Sequence, residues 1–314
     1  MSIITYELLD WIDEKRLDFG FLSLNPNAIC LLEKNPEKIN WYRLSENPNS
    51  SYILEKHPEK ILYRYLSENA NSTELLEKNI DKISWYKLSV NPNAIHLLEK
   101  YPEKIDWSEL SRNPNAIHIL EKNIKMIDWD RLSGNPNAIQ LLENNINKIN
   151  WDYLSVNPNA ISILEKNLEK IDWICLHVNP KASVILEKYP EKIIWSMLSK
   201  NPNAIDLLEK NPEKINWFYL SENPNAIHLL EKNPEKINWE IFSKNINAIP
   251  LLEKNREKID WTWFSSNPSI FNKKLNREYL YQRINMIREE LMMKCMHPSR
   301  LERFLEMGGD VDDF

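Results

Sequence analysis

Residues 85–106 read WYKLSVNPNAIHLLEKYPEKID, and this pattern recurs every 22 residues along almost the whole chain. The aromatic position shows the period: Phe19, Trp41, Tyr63, Trp85, Trp107, Trp129, Trp151, Trp173, Trp195, Trp217, Trp239 and Trp261, with no insertion or deletion between them. A strict period means that each unit packs mainly on its neighbours, so the fold is quasi-one-dimensional. Recurring residues build the frame. Residues that vary between units are the ones free to carry specificity.

The unit reads as two short helices. Asn91-Pro92 is a helix start, since Asn is a good N-cap and Pro suits the first helical position. The Asn is present in every unit, from Asn25 and Asn47 to Asn245 and Asn267. Ala94, Ile95, Leu97 and Leu98 then give a wide apolar stripe, and Pro102 forbids continuation. We call this the NPN helix. A second, aromatic helix is expected to begin at Trp107. The residue before the aromatic is Asn40, Ser84, Asp106, Asp128, Asn150, Asp172, Asn216, Asn238 or Asp260, all N-cap types, with Leu62 and Ile194 as exceptions. Pro102–Ile105 reads either as a separate turn or as part of the aromatic helix.

The fold class that follows is all-α: an α-solenoid of about twelve short helix pairs, each helix two to three turns long. Helices so short do not survive alone, so packing between units must hold them. At roughly 8–10 Å per packed helix, about twelve units give a rod or superhelix on the order of 100 Å long. A leucine-rich repeat also admits this period, but it wants L-x-x-L-x-L-x-x-N, whereas Ile83, Trp85, Leu88 and Asn91 exchange the first two spacings. The expected division is an N-terminal cap over 1–18, the solenoid over 19–269 and a C-terminal helical cap with an acidic tail over 270–314. A helix is expected after Thr5, using Tyr6, Leu9 and Ile12. Leu280, Ile284, Ile287 and Leu291 share one face of another, suited to closing the exposed end of the core. His297-Pro298 starts a last short helix with Leu301, Phe304 and Leu305, ended by Gly308.

Composition narrows the function. The chain has 314 residues, 42% hydrophobic and 27% charged, as in folded proteins. Its net charge of −6 disfavours general nucleic-acid binding. Cys30, Cys175 and Cys295 form no CxxC pair and suggest neither a disulfide framework nor a zinc site. The opening MSIITYELLDWIDEKR lacks the form of a signal peptide, and no apolar run is long enough to span a membrane. With only four glycines there is no glycine-rich phosphate loop. No HExxH, GxSxG or isolated carboxylate pair stands outside the repeat, so neither catalysis nor a cofactor or metal is expected. His96, His118 and His228 share a repeat position, one unit too far apart for a common metal. Cys175 and His177, in the most divergent unit, are two apart on a helix and point away from each other.

The recurring polar and aromatic columns each have two readings. The Asn column is a set of N-caps or a polar ladder that binds a backbone. The aromatic column is core or a binding rail. The Glu33-type and Lys34-type columns form a solvated face with crossed ion pairs, or an acidic stripe for cations.

Units of the form LSxNPNAIxLLEKNPEKIxW, with the closing HPSRLERFLEMGGDVDDF, resemble repeat proteins of large nucleocytoplasmic DNA viruses of the mimivirus and phycodnavirus kind, over about residues 11–314. That resemblance implies a virus-encoded interaction module or particle component, in host-cell cytoplasm or virion.

Specificity is expected where the units differ, at the two residues after each aromatic: Tyr42-Arg43, Arg64-Tyr65, Tyr86-Lys87, Ser108-Glu109, Asp130-Arg131, Asp152-Tyr153, Ile174-Cys175, Ser196-Met197, Phe218-Tyr219, Glu240-Ile241 and Thr262-Trp263. Tyr, Arg, Trp, Met and Phe are interface types. The candidate partner-binding stripe is Tyr42, Arg43, Arg64, Tyr65, Tyr86, Lys87, Asp130, Arg131, Asp152, Tyr153, Met197, Phe218, Tyr219 and Trp263. The expected function is a non-enzymatic scaffold for a viral or host protein. The alternatives are a minor capsid or cementing protein and a single-strand nucleic-acid reader, the last disfavoured by charge. The partner, the handedness and the oligomeric state are open from sequence.

Overall fold

A computed structural model of the chain describes residues 4–295, 297, 299–300, 303 and 306–307. The short helix expected after His297-Pro298 and the acidic tail lie mostly outside the described residues. The chain divides into two units, Asp10–Ile270 and a second made of Met1–Leu9 with Phe271–Phe314.

Asp10–Ile270 is an all-α solenoid in which one unit runs as follows. The aromatic helix Trp107–Arg112 is capped by Asp106, whose side chain accepts from the Glu109 N–H. The NPN turn leads into Ile117–Lys122, and a separate 3-10 turn, Ile124–Met126, follows, which settles the open reading of that segment. The helices hold only four to six residues, shorter than expected. Leu98, Leu110, Ala116 and Leu120 have no exposed surface, and their equivalents recur around the unit as one continuous core.

The NPN helix starts three residues later than its Asn-Pro suggests, at Ile95 after Ala94, with no side-chain cap. The Asn is engaged elsewhere. Asn91 accepts from the Asn93 N–H at 3.0 Å, and its amide donates to the Ser67 and Asn69 carbonyls of the preceding unit at 3.0 Å each. The column is therefore a ladder that binds a backbone, namely that of the neighbouring repeat. A buried Ser column runs beside it: Ser89 Oγ donates to the Trp85 carbonyl and accepts from Asp106 N–H in the next unit. These bonds satisfy buried backbone groups that short helices leave orphaned.

Both ladders continue from the last unit to the first. Asn25 donates to the Ser265 and Asn267 carbonyls at 3.1 and 2.8 Å, and Asp18 N–H donates to Ser265 Oγ at 2.8 Å. Asn27 donates to the Pro268 carbonyl, as Asn115 does to Pro92. Asp10–Ile270 is therefore a closed ring of twelve aromatic helices, not an open rod. The last unit lacks its NPN helix and PEK turn, and the N-terminal segment supplies the missing turn as Glu14–Arg16. Arg16 stands 4.1 Å over the Trp261 ring, as Lys38 stands 4.5 Å over Phe19. Trp11 packs 5.8 Å from Phe264. Residues 10–18 and 261–270 thus build the final repeat together, and the array has no open end for a cap to close.

In the second unit, β1 (Ile4–Leu8) pairs antiparallel with β2 (Phe271–Leu275), Ile4 opposite Leu275 and Leu8 opposite Phe271. The segment expected as a helix after Thr5 is therefore a strand. Its Ile-Thr-Tyr run favours extended backbone, and β2 supplies the partner. The long helix Arg277–Cys295 forms as expected, but Ile284, Ile287 and Leu291 are exposed rather than closing a core. Among the described residues no helix is long and apolar enough to cross a membrane.

Candidate functional site

Neighbouring aromatic helices lie closer together than neighbouring NPN helices do. In a closed ring the shorter spacing belongs to the smaller circumference, so the aromatic helices form the inner row. The outer row is bridged by long side chains: Lys56–Glu33, Lys78–Glu55 and Lys188–Glu165 pair across units, and His96, His118 and His228 each reach a Glu of the preceding unit. These are the crossed ion pairs the sequence suggests. Being solvent-exposed, they contribute little each.

The variable stripe lies on the inner row, and its two positions differ in kind. The first residue is exposed in nine of the eleven pairs, among them Tyr42, Arg64, Tyr86, Asp130, Asp152 and Phe218, while Ser108 and Ser196 are half-buried. The second is mostly half-buried against the adjacent unit: Arg43, Tyr65, Lys87, Arg131, Met197 and Trp263 are in this state, while Tyr153 and Tyr219 remain open.

Contacts knit the second positions around the ring. Tyr42 and Tyr65 meet edge-on at 4.3 Å, Arg43 stacks 3.9 Å over Phe21, and Phe21 meets Trp263 at 5.3 Å across the seam. Lys87 pairs with Glu68 at 2.7 Å. Glu109, only 3% exposed, is held by Arg131 at 2.9 Å and Arg112 at 3.3 Å. Its carboxylate also accepts from Tyr86 and raises that phenol above its ordinary value. The Tyr42 phenol is likewise raised, first by its hydrogen bond to Tyr65 and then by the charge of Glu46.

The stripe sorts into arcs. Residues 42–87 are aromatic and basic, 109–152 carry a mixed charge cluster, and from Tyr153 onward apolar groups dominate. The divergent unit adds to the last arc. Ile174 and Val178, one helical turn apart, are 59% and 60% exposed. Val178 was not singled out from sequence, although its position varies among Leu, Glu, Val, Arg, Gly, Lys and Ser in other units, because it lies outside the pair of residues that follows each aromatic.

The aromatic column is neither fully core nor an open rail. Its rings are half-buried, and seven of the twelve are roofed by a lysine of their own unit, as Lys148 is over Trp129 at 4.4 Å and Lys236 over Trp217 at 4.4 Å. Such a roof contributes about 0.5–1 kcal/mol at exposed sites.

Cys175 and His177 form no catalytic pair. Burial and then Asp172 push the Cys175 thiol up, away from a thiolate. His177 occupies the Ser column and reproduces both its bonds: Nδ1 lies 2.5 Å from the Trp173 carbonyl, and Ile194 N–H donates to Nε2 at 2.8 Å. That pattern assigns the proton to Nδ1. Among the described residues no three His, Cys, Asp or Glu side chains are grouped to hold a metal ion. The chain matches no protein-family model, no curated protein and no solved structure.

Proposed function

We propose that the chain is a virus-encoded, non-enzymatic scaffold that binds a viral or host protein along the inner stripe. One observation carries the reading. The ring holds its frame almost constant, yet at the first stripe position it keeps large apolar groups exposed to water, Tyr42, Tyr86, Ile174 and Phe218. Exposed aromatics of this kind are typical binding anchors. The viral origin rests on the likeness of the repeat unit to those of large DNA viruses, and with it a place in host-cell cytoplasm or virion.

The test is photo-crosslinking from infected or host-cell lysate, with the reactive residue at Tyr86 or Phe218 and, as control, at Glu99 on the outer row. A protein captured only from the stripe supports the scaffold, provided that joint Y153S, I174S and F218S changes, at exposed stripe positions, abolish capture while the melting point holds. Capture of capsid proteins from both rows alike moves the reading to a particle component.

A further inference from the structure

The long helix Arg277–Cys295, in the second unit, carries exposed apolar side chains along one face. Ile284, Ile287 and Leu291 are 59, 47 and 56% exposed. With Leu280 they recur at spacings of four, three and four, the alternation that a two-helix seam requires. A seam of this kind needs a second helix, and the flanking residues indicate which one.

Arg283 and Glu290 border the seam on one side, Tyr281 and Arg288 on the other, and all four are exposed. We propose that this helix pairs with the same helix of a second copy of the chain, antiparallel, about a two-fold axis. The sequence is self-complementary in that register. Leu280 meets the partner's Leu291, and Ile284 meets the partner's Ile287. Arg283 meets the partner's Glu290, and Glu290 the partner's Arg283. Tyr281 lies beside the partner's Arg288, a cation–π pairing. A two-fold contact must be self-complementary in this way.

The parallel alternative is worse by charge. It sets Arg283 against the partner's Arg288 on both sides of the seam, and like charges at flanking positions decide orientation. The antiparallel register also has an end. Arg277 faces the partner's Lys294, and both turn to solvent, so contact is confined to about two heptads. The dimer is therefore small and weak, formed at a chain concentration on the order of 100 µM. This pairing is independent of the stripe.

Sedimentation equilibrium of the full chain from about 1 to about 200 µM, a range set by so small an interface, reads the outcome. The mass is expected to rise from 37.4 kDa towards twice that value. R283E alone and E290R alone each weaken the dimer by about tenfold or more, and the double variant R283E/E290R restores it, because the pair is reciprocal. I284E with I287E abolishes it. A chain monomeric throughout the range overturns the proposal, as does a dimer that survives I284E/I287E. A dimer strengthened by R283E overturns the antiparallel register, since that change relieves only the parallel arrangement. The charge variants alter exposed residues outside the ring, so ring folding does not depend on them.

Discussion

Replacing Asn25 by Ala removes three hydrogen bonds at the seam of the ring: two donated to the Ser265 and Asn267 carbonyls and one accepted from Asn27 N–H. Asn25 is fully buried, so water does not replace the lost partners. At about 1 kcal/mol net per bond the loss is about 3 kcal/mol, and more if a carbonyl is left unpaired. A domain of this size loses about 2–4 °C per kcal/mol, giving a fall of about 6–12 °C in melting temperature. Asn135 is the matched control, because mid-array it makes the same three bonds, to Ser111, Asn113 and Asn137. In a closed ring the two positions are equivalent, so N25A and N135A lower the far-ultraviolet circular dichroism melting point alike. In an open solenoid Asn25 stands at a free end with no preceding unit to bind. There it keeps only the local bond from Asn27 N–H, so an N25A chain within about 4 °C of native, beside an N135A chain that falls by about 6 °C or more, refutes the closure.

Three further outcomes follow from the inner row and the divergent unit. R131M strips Glu109 of its closer cation while the carboxylate stays buried; since Arg112 remains, the loss in chemical denaturation falls near the lower end of about 3–5 kcal/mol. Burial holds His177 below its ordinary value, opposed by its bond to the Trp173 carbonyl, so the unfolded chain takes up the proton first as pH falls. The stability contributed by the neutral imidazole is present above the unfolded value near 6.5 and is lost as pH drops through the lower folded value; H177S, which restores the column residue, flattens that decline in melting point. E109Q removes the acceptor charge beside Tyr86 and brings one phenol to a lower pH in spectrophotometric alkaline titration, whereas an unchanged profile would separate Tyr86 from Glu109.

The period, the paired helices and the caps before each aromatic were legible because they rest on local chemistry. Asp106, Asp128 and Asn150 each accept from an N–H two or three residues on, a range that sequence spacing reports. Ser84, a cap by type, makes no such bond. The Asn-Pro pair misled because Asn91 has two uses. Its oxygen closes a local turn while its amide crosses to another unit, and only the first is visible in one copy of the motif. Closure was written in the sequence but at separated places. Residues 14–18, EKRLD, are a PEKID-like end without a beginning, and the unit opening at Trp261 is a beginning without an end. Joining them takes a distance of more than two hundred residues, which periodicity does not convey. The stripe was legible as variation, but its division into exposed and interlocked positions was not, because that depends on which side of a short helix meets the next repeat.

Closure also accounts for the absence of insertions in the period. On the inner row, neighbouring backbones are joined directly by an Asn amide of fixed length, 2.8–3.0 Å from the preceding Asn carbonyl. On the outer row, flexible Lys–Glu and His–Glu pairs span a wider gap. The difference in spacing bends each unit by the same amount, about 30° if twelve share a full turn. One extra residue in any unit would shift its Asn off two carbonyls, and one extra unit would leave the seam unable to meet. An open solenoid tolerates both changes at its ends. The frame is therefore constrained at every position that touches a neighbouring repeat, and freedom remains in two places: the first residue of each stripe pair, and the segment outside the ring. Both present large apolar side chains to water.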